Sequence, residues 1–119
     1  MPRILVIDDE EMIRSLLREV LQQDGHEIVE ASDGQVGIEQ YREQDIDLII
    51  TDILMPGKDG FETIRELTET HPGIKIIALT GYGLHNLPVA YDLGASKVFE
   101  KPINPRDLRQ AVKDLLNEE

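Results

Sequence analysis

Five short runs of Ile, Leu and Val, each followed by a stretch with helical spacing, constrain this chain more than any other feature. Such alternation is the pattern of βα units wound into a parallel sheet. The predicted strands are Arg3 to Ile7, His26 to Glu30, Ile46 to Thr51, Lys75 to Leu79 and Ala95 to Glu100. The first and third are nearly unbroken in their hydrophobicity, as strands covered on both faces require. Glu11 to Gln23 places Met12, Ile13, Leu16, Leu17, Val20 and Leu21 on one helical stripe, which Asp24-Gly25 ends. Ser32-Asp33-Gly34-Gln35 is a capping signal for a helix reaching about Gln44, intrinsically weakened by Gly34 and Gly37. Phe61, Ile64 and Leu67 start a third helical stripe that Pro72-Gly73 closes, and a fourth helix is expected from about Pro88 to Leu93. Asn104 caps the fifth, with Pro105 in its first turn and Leu108, Ala111, Val112, Leu115 and Leu116 on its buried side.

A length of 119 residues fits one domain with one core, taken as residues 1–119. With 40% hydrophobic and 30% charged residues the composition is that of a soluble globular protein. The absence of cysteine excludes a disulfide framework and thiolate-bound zinc, and suits a reducing compartment. The first apolar run is too short for an export signal, and no segment approaches the ~20 apolar residues of a membrane span. A cytoplasmic location is expected. A formal net charge of -12 opposes direct contact with nucleic acid, so most of the acidic residues read as solubilising.

In an open parallel sheet, ligands bind outside the carboxyl ends of the strands. There the first strand delivers Asp8-Asp9, the third Asp52, the fourth Thr80 and the fifth Lys101. Each has a plainer reading alone: a helix cap for Asp8 or Asp9, a solvated turn for Asp52, a strand end for Thr80, an ordinary surface charge for Lys101. Their joint placement changes the reading. Three carboxylates brought together repel unless a cation or a raised pKa relieves them, and Mg2+ suits a site of few carboxylates completed by water and phosphate oxygens. Phosphoryl transfer to a carboxylate needs this set: an aspartate nucleophile, a cation and a lysine to neutralise the incoming oxygens, and hydroxyl and backbone donors for the rest. His26, His71 and His85 have no ligand spacing and receive no role.

The segments Ile4-Leu5-Val6-Ile7-Asp8-Asp9-Glu10, Asp47 through Gly60 around Asp52, Ala78-Leu79-Thr80-Gly81, Gly94-Ala95 and Glu100-Lys101-Pro102 occur in an order that resembles the receiver domain of bacterial two-component response regulators. The resemblance implies a flavodoxin-like (βα)5 fold, doubly wound, with a five-stranded parallel sheet in the order 2-1-3-4-5. It implies Asp52 as phosphoacceptor, Mg2+ held directly by Asp9 and Asp52, Asp8 acting mostly through water, and the backbone carbonyl of Leu54 as a further ligand. Lys101 becomes the phosphoryl counter-ion and Thr80 the switch hydroxyl, with Lys101-Pro102 cis. The implied partners are a sensor histidine kinase or histidine phosphotransfer protein as donor, and a downstream target reached through the fourth helix, fifth strand and fifth helix.

The family commonly has an aromatic three residues before the lysine, where this chain has Val98, so an aromatic rotamer switch is not expected. Phe99 should point to the opposite face of its strand as ordinary core. Leu54 and Tyr82 are bulky residues flanking the site, which suggests a slowly hydrolysed acyl phosphate. With no room for an output domain after the fifth helix, the chain is expected to act alone or to be excised from a larger protein. A phosphohydrolase passing through an aspartyl phosphate would need an acid where Leu54 stands, and an FMN site would be repelled by Asp8-Asp9. A receiver-like domain used only for contacts would not need the acidic set.

Overall fold

The structure, a computed structural model, describes residues 2–53, 60–81, 91–92 and 94–118. The elements are β1 (Arg3–Ile7), α1 (Glu11–Gln22), β2 (Glu27–Ala31), α2 (Gly34–Glu43), β3 (Leu48–Asp52), α3 (Gly60–Thr70), β4 (Ile76–Thr80), β5 (Lys97–Glu100) and α4 (Pro105–Leu116). The five strands form one parallel sheet in the order β2-β1-β3-β4-β5, as expected of the flavodoxin-like topology. The helix anticipated at 88–93 falls largely outside the described residues.

Alternation along each strand divides the apolar runs between two cores. Leu5, Ile7, Ile49, Ile76 and Ala78 pack with Ile38 of α2 and Ile64 and Leu67 of α3. Ile4, Val6, Leu48, Ile50, Ile77 and Leu79 pack with Leu17 and Leu21 of α1 and Leu108, Val112 and Leu115 of α4. Phe99 joins this second core while its neighbour Val98 joins the first, so the two do point to opposite faces. The α1 stripe is narrower than its sequence suggests. Met12 is 85% exposed and Leu16 39%, because that i, i+4 pair lies to one side of the column formed by Ile13, Leu17 and Leu21.

The helix ends follow their local chemistry. Asp33 caps α2 by accepting from the Val36 N–H at 2.9 Å, and Asn104 caps α4 by accepting from Arg106 and Asp107. Gly37, unfavourable by propensity, has a packing reason: a Cβ there would lie 2.4 Å from Cδ1 of Ile7, so its absence lets α2 lie close on β1. Three strands run one residue further than predicted: β2 to Ala31, β3 to Asp52 and β4 to Thr80. Asp52 pairs with Leu79 and Thr80 with Glu100, so both polar residues are held by the sheet rather than by a loop.

Candidate functional site

Extension of the ladder to Asp52 and Thr80 decides where their side chains sit. Asp8, Asp52, Thr80 and Lys101 are all buried, with exposures of 0%, 4%, 0% and 3%. Lys101 follows β5 directly, and its backbone N–H donates to the Thr80 carbonyl at 2.9 Å, extending the β4–β5 pairing by one step. The Lys101-Pro102 bond is cis.

The Lys101 ammonium lies at the centre of the cluster. Its Nζ is 3.2 Å from Oδ2 of Asp8, 3.3 Å from Oδ2 of Asp52 and 3.4 Å from Oε1 of Glu10. Glu10 is the residue that sequence reasoning passed over. The available signal was the run of three acids, Asp8-Asp9-Glu10, whose carboxylate oxygens come within 4.8 Å of one another. Asp8, Asp9 and Glu10 therefore make one acidic group on the β1–α1 turn, and Asp52 joins it through the shared lysine.

Burial is the main force on the ionisation of these residues. The Asp52 carboxyl is pushed up to about 6, first by burial and then by the Asp8 charge, against the pull of Lys101 and of the Ile53 N–H. Asp8 is also raised by burial, partly offset by its hydrogen bond from the Glu10 N–H at 2.8 Å and by Lys101. Burial alone would lower Lys101; the carboxylates of Asp8 and Asp52 outweigh it and hold the ammonium charged.

Two buried atoms in the cluster have unused capacity. Thr80 Oγ1 has no hydrogen-bond partner among the described residues, and Asp8 Oδ2 has its ion pair to Lys101 but no directed hydrogen bond. An all-oxygen, carboxylate-rich donor set with an unsatisfied buried oxygen suits a hard divalent cation such as Mg2+. Leu54 and Tyr82, singled out from the sequence, lie outside the described residues.

The backbone around Asp52 is fixed by a close approach. The Gly60 N–H donates to the Ile53 carbonyl at 2.6 Å, and a Cβ on Gly60 would lie 2.1 Å from the Asp52 carbonyl oxygen. Only glycine lets α3 begin this near the strand end.

The architecture defines the class: a doubly wound α/β domain with a buried, lysine-bridged carboxylate cluster at the carboxyl edge of its sheet. Residues 4–113 match the family described as response regulator receiver domain, and the chain belongs to that family of two-component signalling switches. It is 36% identical over 115 residues to the chemotaxis protein CheY of Halobacterium salinarum, covering 96% of each chain. A receiver domain protein from Clostridium thermocellum superposes with a TM-score of 0.91 at 36% identity, covering 98% of this chain and 95% of that one. The response regulator TrrA from Thermotoga maritima, in complex with Mg(2+)-BeF, gives 0.89 at 38% identity, covering 97% and 99%. Against transcriptional regulatory proteins matched at 33% identity, the chain spans about half of the relative's length. No described helix is long and apolar enough to cross a membrane.

Proposed function

We propose that this domain accepts a phosphoryl group on Asp52, with Mg2+ at the neighbouring acids, and so switches a protein-binding surface. The observation that carries the reading is the Lys101 ammonium within 3.4 Å of Asp8, Asp52 and Glu10, in a buried cluster whose threonine hydroxyl has no partner among the described residues. The Mg(2+)-BeF complex of the relative TrrA supports Mg2+ as the cation.

Asp8, Asp9 and Asp52, with the backbone carbonyl of Leu54, are assigned to hold the cation, and Glu10 stands beside them. When bound, Mg2+ supplies positive charge to the phosphoryl oxygens and to the carboxylate cluster. A carboxylate oxygen of Asp52 attacks phosphorus, forming the P–O bond of an acyl phosphate. The P–N bond to the donor imidazole breaks, and its electron pair leaves with the nitrogen. For this the carboxylate must be ionised, which a pKa of about 6 permits at neutral pH. Lys101, already poised on Asp52, pairs with a phosphoryl oxygen. The Thr80 hydroxyl, which has no hydrogen-bond partner among the described residues, turns to donate to another.

The donor is a histidine kinase or a histidine phosphotransfer protein. The output partner is a protein bound at β5 and α4 together with the segment 88–93. Direct nucleic-acid binding is disfavoured by the net charge of -12, and the domain is assigned to the cytoplasm. It is a switch that promotes its own phosphorylation and dephosphorylation rather than an enzyme with a released product. It works as a single-domain regulator or as the receiver part of a larger protein.

Incubation with Mg2+ and a small phosphodonor, followed by intact mass, tests the reading. Wild type should gain one phosphoryl mass that EDTA abolishes and Asp52→Asn never shows. No gain in the wild type overturns it.

A further inference from the structure

The acidic turn that carries Asp8, Asp9 and Glu10 is tied down by a residue outside the cluster. Arg14, in the first turns of α1, donates from Nη1 to the Asp8 backbone carbonyl at 2.6 Å and from Nε to Oε1 of Glu30 on β2 at 3.2 Å. Its own backbone N–H donates to the Glu10 carbonyl at 3.1 Å. Its side chain is only 17% exposed, and Glu30 is also paired with Arg18. The guanidinium therefore joins the residue after β1 to the carboxyl end of β2 across the turn.

The bonded carbonyl has a particular consequence. It belongs to the peptide linking Asp8 to Asp9, so fixing it fixes the plane from which the Asp9 side chain departs. Other restraints flank this peptide: the Asp8 N–H donates to the Ala31 carbonyl at 3.1 Å, and the Glu10 N–H, in the peptide after Asp9, donates to Oδ1 of Asp8 at 2.8 Å. Asp9 is exposed, and its carboxylate has no hydrogen bond or ion pair among the described residues. Among the described residues no side chain orients it, so the point from which it departs is set by the backbone.

We propose that Arg14 is a positioning residue for cation binding: by holding the Asp8–Asp9 peptide against β2, it aims the Asp9 carboxylate at the space shared with Asp8 and Glu10. This rests on the proposed Mg2+ site. Arg14 supplies two aligned donors in a rigid fork, which lysine cannot reproduce. Loss of a group that orients a metal ligand typically weakens metal affinity by about 10- to 100-fold.

The test is Mg2+ affinity by titration calorimetry, with urea midpoints measured on the same proteins, for wild type, Arg14→Gln, Arg14→Lys and Arg18→Gln. Arg14→Gln should bind Mg2+ at least ~10-fold more weakly. Its phosphorylation by a small donor should be slow at low Mg2+ and recover at saturating Mg2+, the split expected of an orientation defect. Arg14→Lys should fall between it and wild type, and it carries the test if Arg14→Gln does not fold. Arg18→Gln, which loses contact with the same Glu30 but does not touch Asp8, should keep wild-type affinity even where its urea midpoint falls. Folded Arg14 variants with wild-type affinity, or an equal loss in Arg18→Gln, would overturn the proposal. A wild type that binds no Mg2+ would instead remove the functional reading beneath it.

Discussion

Asp52→Asn should make the protein more stable at neutral pH while abolishing its proposed chemistry. The folded carboxyl has a pKa of about 6 against an ordinary value of 3.8, so the folded state binds a proton more tightly than the unfolded chain does. Between those values the unfolded state carries fewer protons, and stability falls as pH rises. Below about pH 4 the penalty vanishes; above about pH 7 it is complete. At 1.36 kcal/mol per pKa unit it reaches about 3 kcal/mol. The attraction of Lys101 is already included, because it opposes the upward shift. Asparagine keeps the shape and never ionises, so it escapes the penalty.

The assay is urea unfolding of both proteins across pH, without divalent cation. With an m-value of about 2 kcal/mol/M, the variant's midpoint should exceed wild type by about 1.5 M at pH 8. The gap should shrink to about a third of that at pH 4.5, following the titration of the wild-type carboxyl. Added Mg2+ should narrow it at pH 8 by stabilising wild type more, since a ligand at 100 times its Kd contributes about 2.7 kcal/mol. Equal midpoints at pH 8, or a gap that does not change with pH, would refute the claim that Asp52 is a charge held at a cost inside the fold.

Lys101→Met leaves Asp8 and Asp52 buried without their cation, and the loss at pH 8 should be about 3 kcal/mol, as for other broken buried pairs. Much of it should return at pH 5, where Asp52 is protonated, and the same urea series would detect this. Gly60→Ala should cost at least ~2 kcal/mol and abolish phosphorylation, because its Cβ would strike the Asp52 carbonyl and the Ile53 Cα, neither of which can move aside independently. Gly73→Ala, where a Cβ meets nothing within 4 Å but φ is positive, should leave phosphorylation intact in the same assay. His26 is buried with neither ring nitrogen partnered among the described residues, and burial lowers its pKa in spite of Asp24 nearby. Its contribution is complete above the ordinary pKa of 6.5 and is lost as pH falls through the lower folded value, opposite in sign to Asp52. His26→Leu should therefore gain about 1 kcal/mol at pH 7 and more at pH 5.

The topology was legible because its signal, apolar runs alternating with helical stripes, is spread over the whole chain. Asp52, Thr80 and Lys101 could be placed at one sheet edge because strand ends are predictable even when strand lengths are off by a residue. Hydrophobicity stops at Thr51 and Leu79, whereas backbone pairing continues to Asp52 and Thr80, so sequence could not tell that these side chains are fixed by the sheet. The exposure of Met12 and Leu16 was hidden for a related reason: a helix with six apolar residues can turn either column inward, and packing against β1 and α4 chooses. Glu10 and Arg14 act through contacts made only after the turn has formed. Nothing in their spacing distinguishes them from solvated charges.

The structure also narrows how a change at Asp52 can travel. Val98 lies opposite Ala78 in the β4–β5 ladder and packs into the first core, on the same face as Thr80 by the alternation of β4. Branched at Cβ, valine has little rotamer freedom and no long side chain to swing. A movement of Thr80 toward Asp52, as the proposed switch requires, would then reach β5 through the backbone, where Thr80 faces Glu100 and its carbonyl accepts from the Lys101 N–H. Lys101 closes the loop, since its ammonium is already on Asp52. The two ends of this short circuit should respond together: on phosphorylation, amide resonances of Thr80, Glu100 and Lys101 should shift while the Val98 methyls keep their rotamer. A rotamer change at Val98 with unmoved amides would place the route through side-chain packing instead.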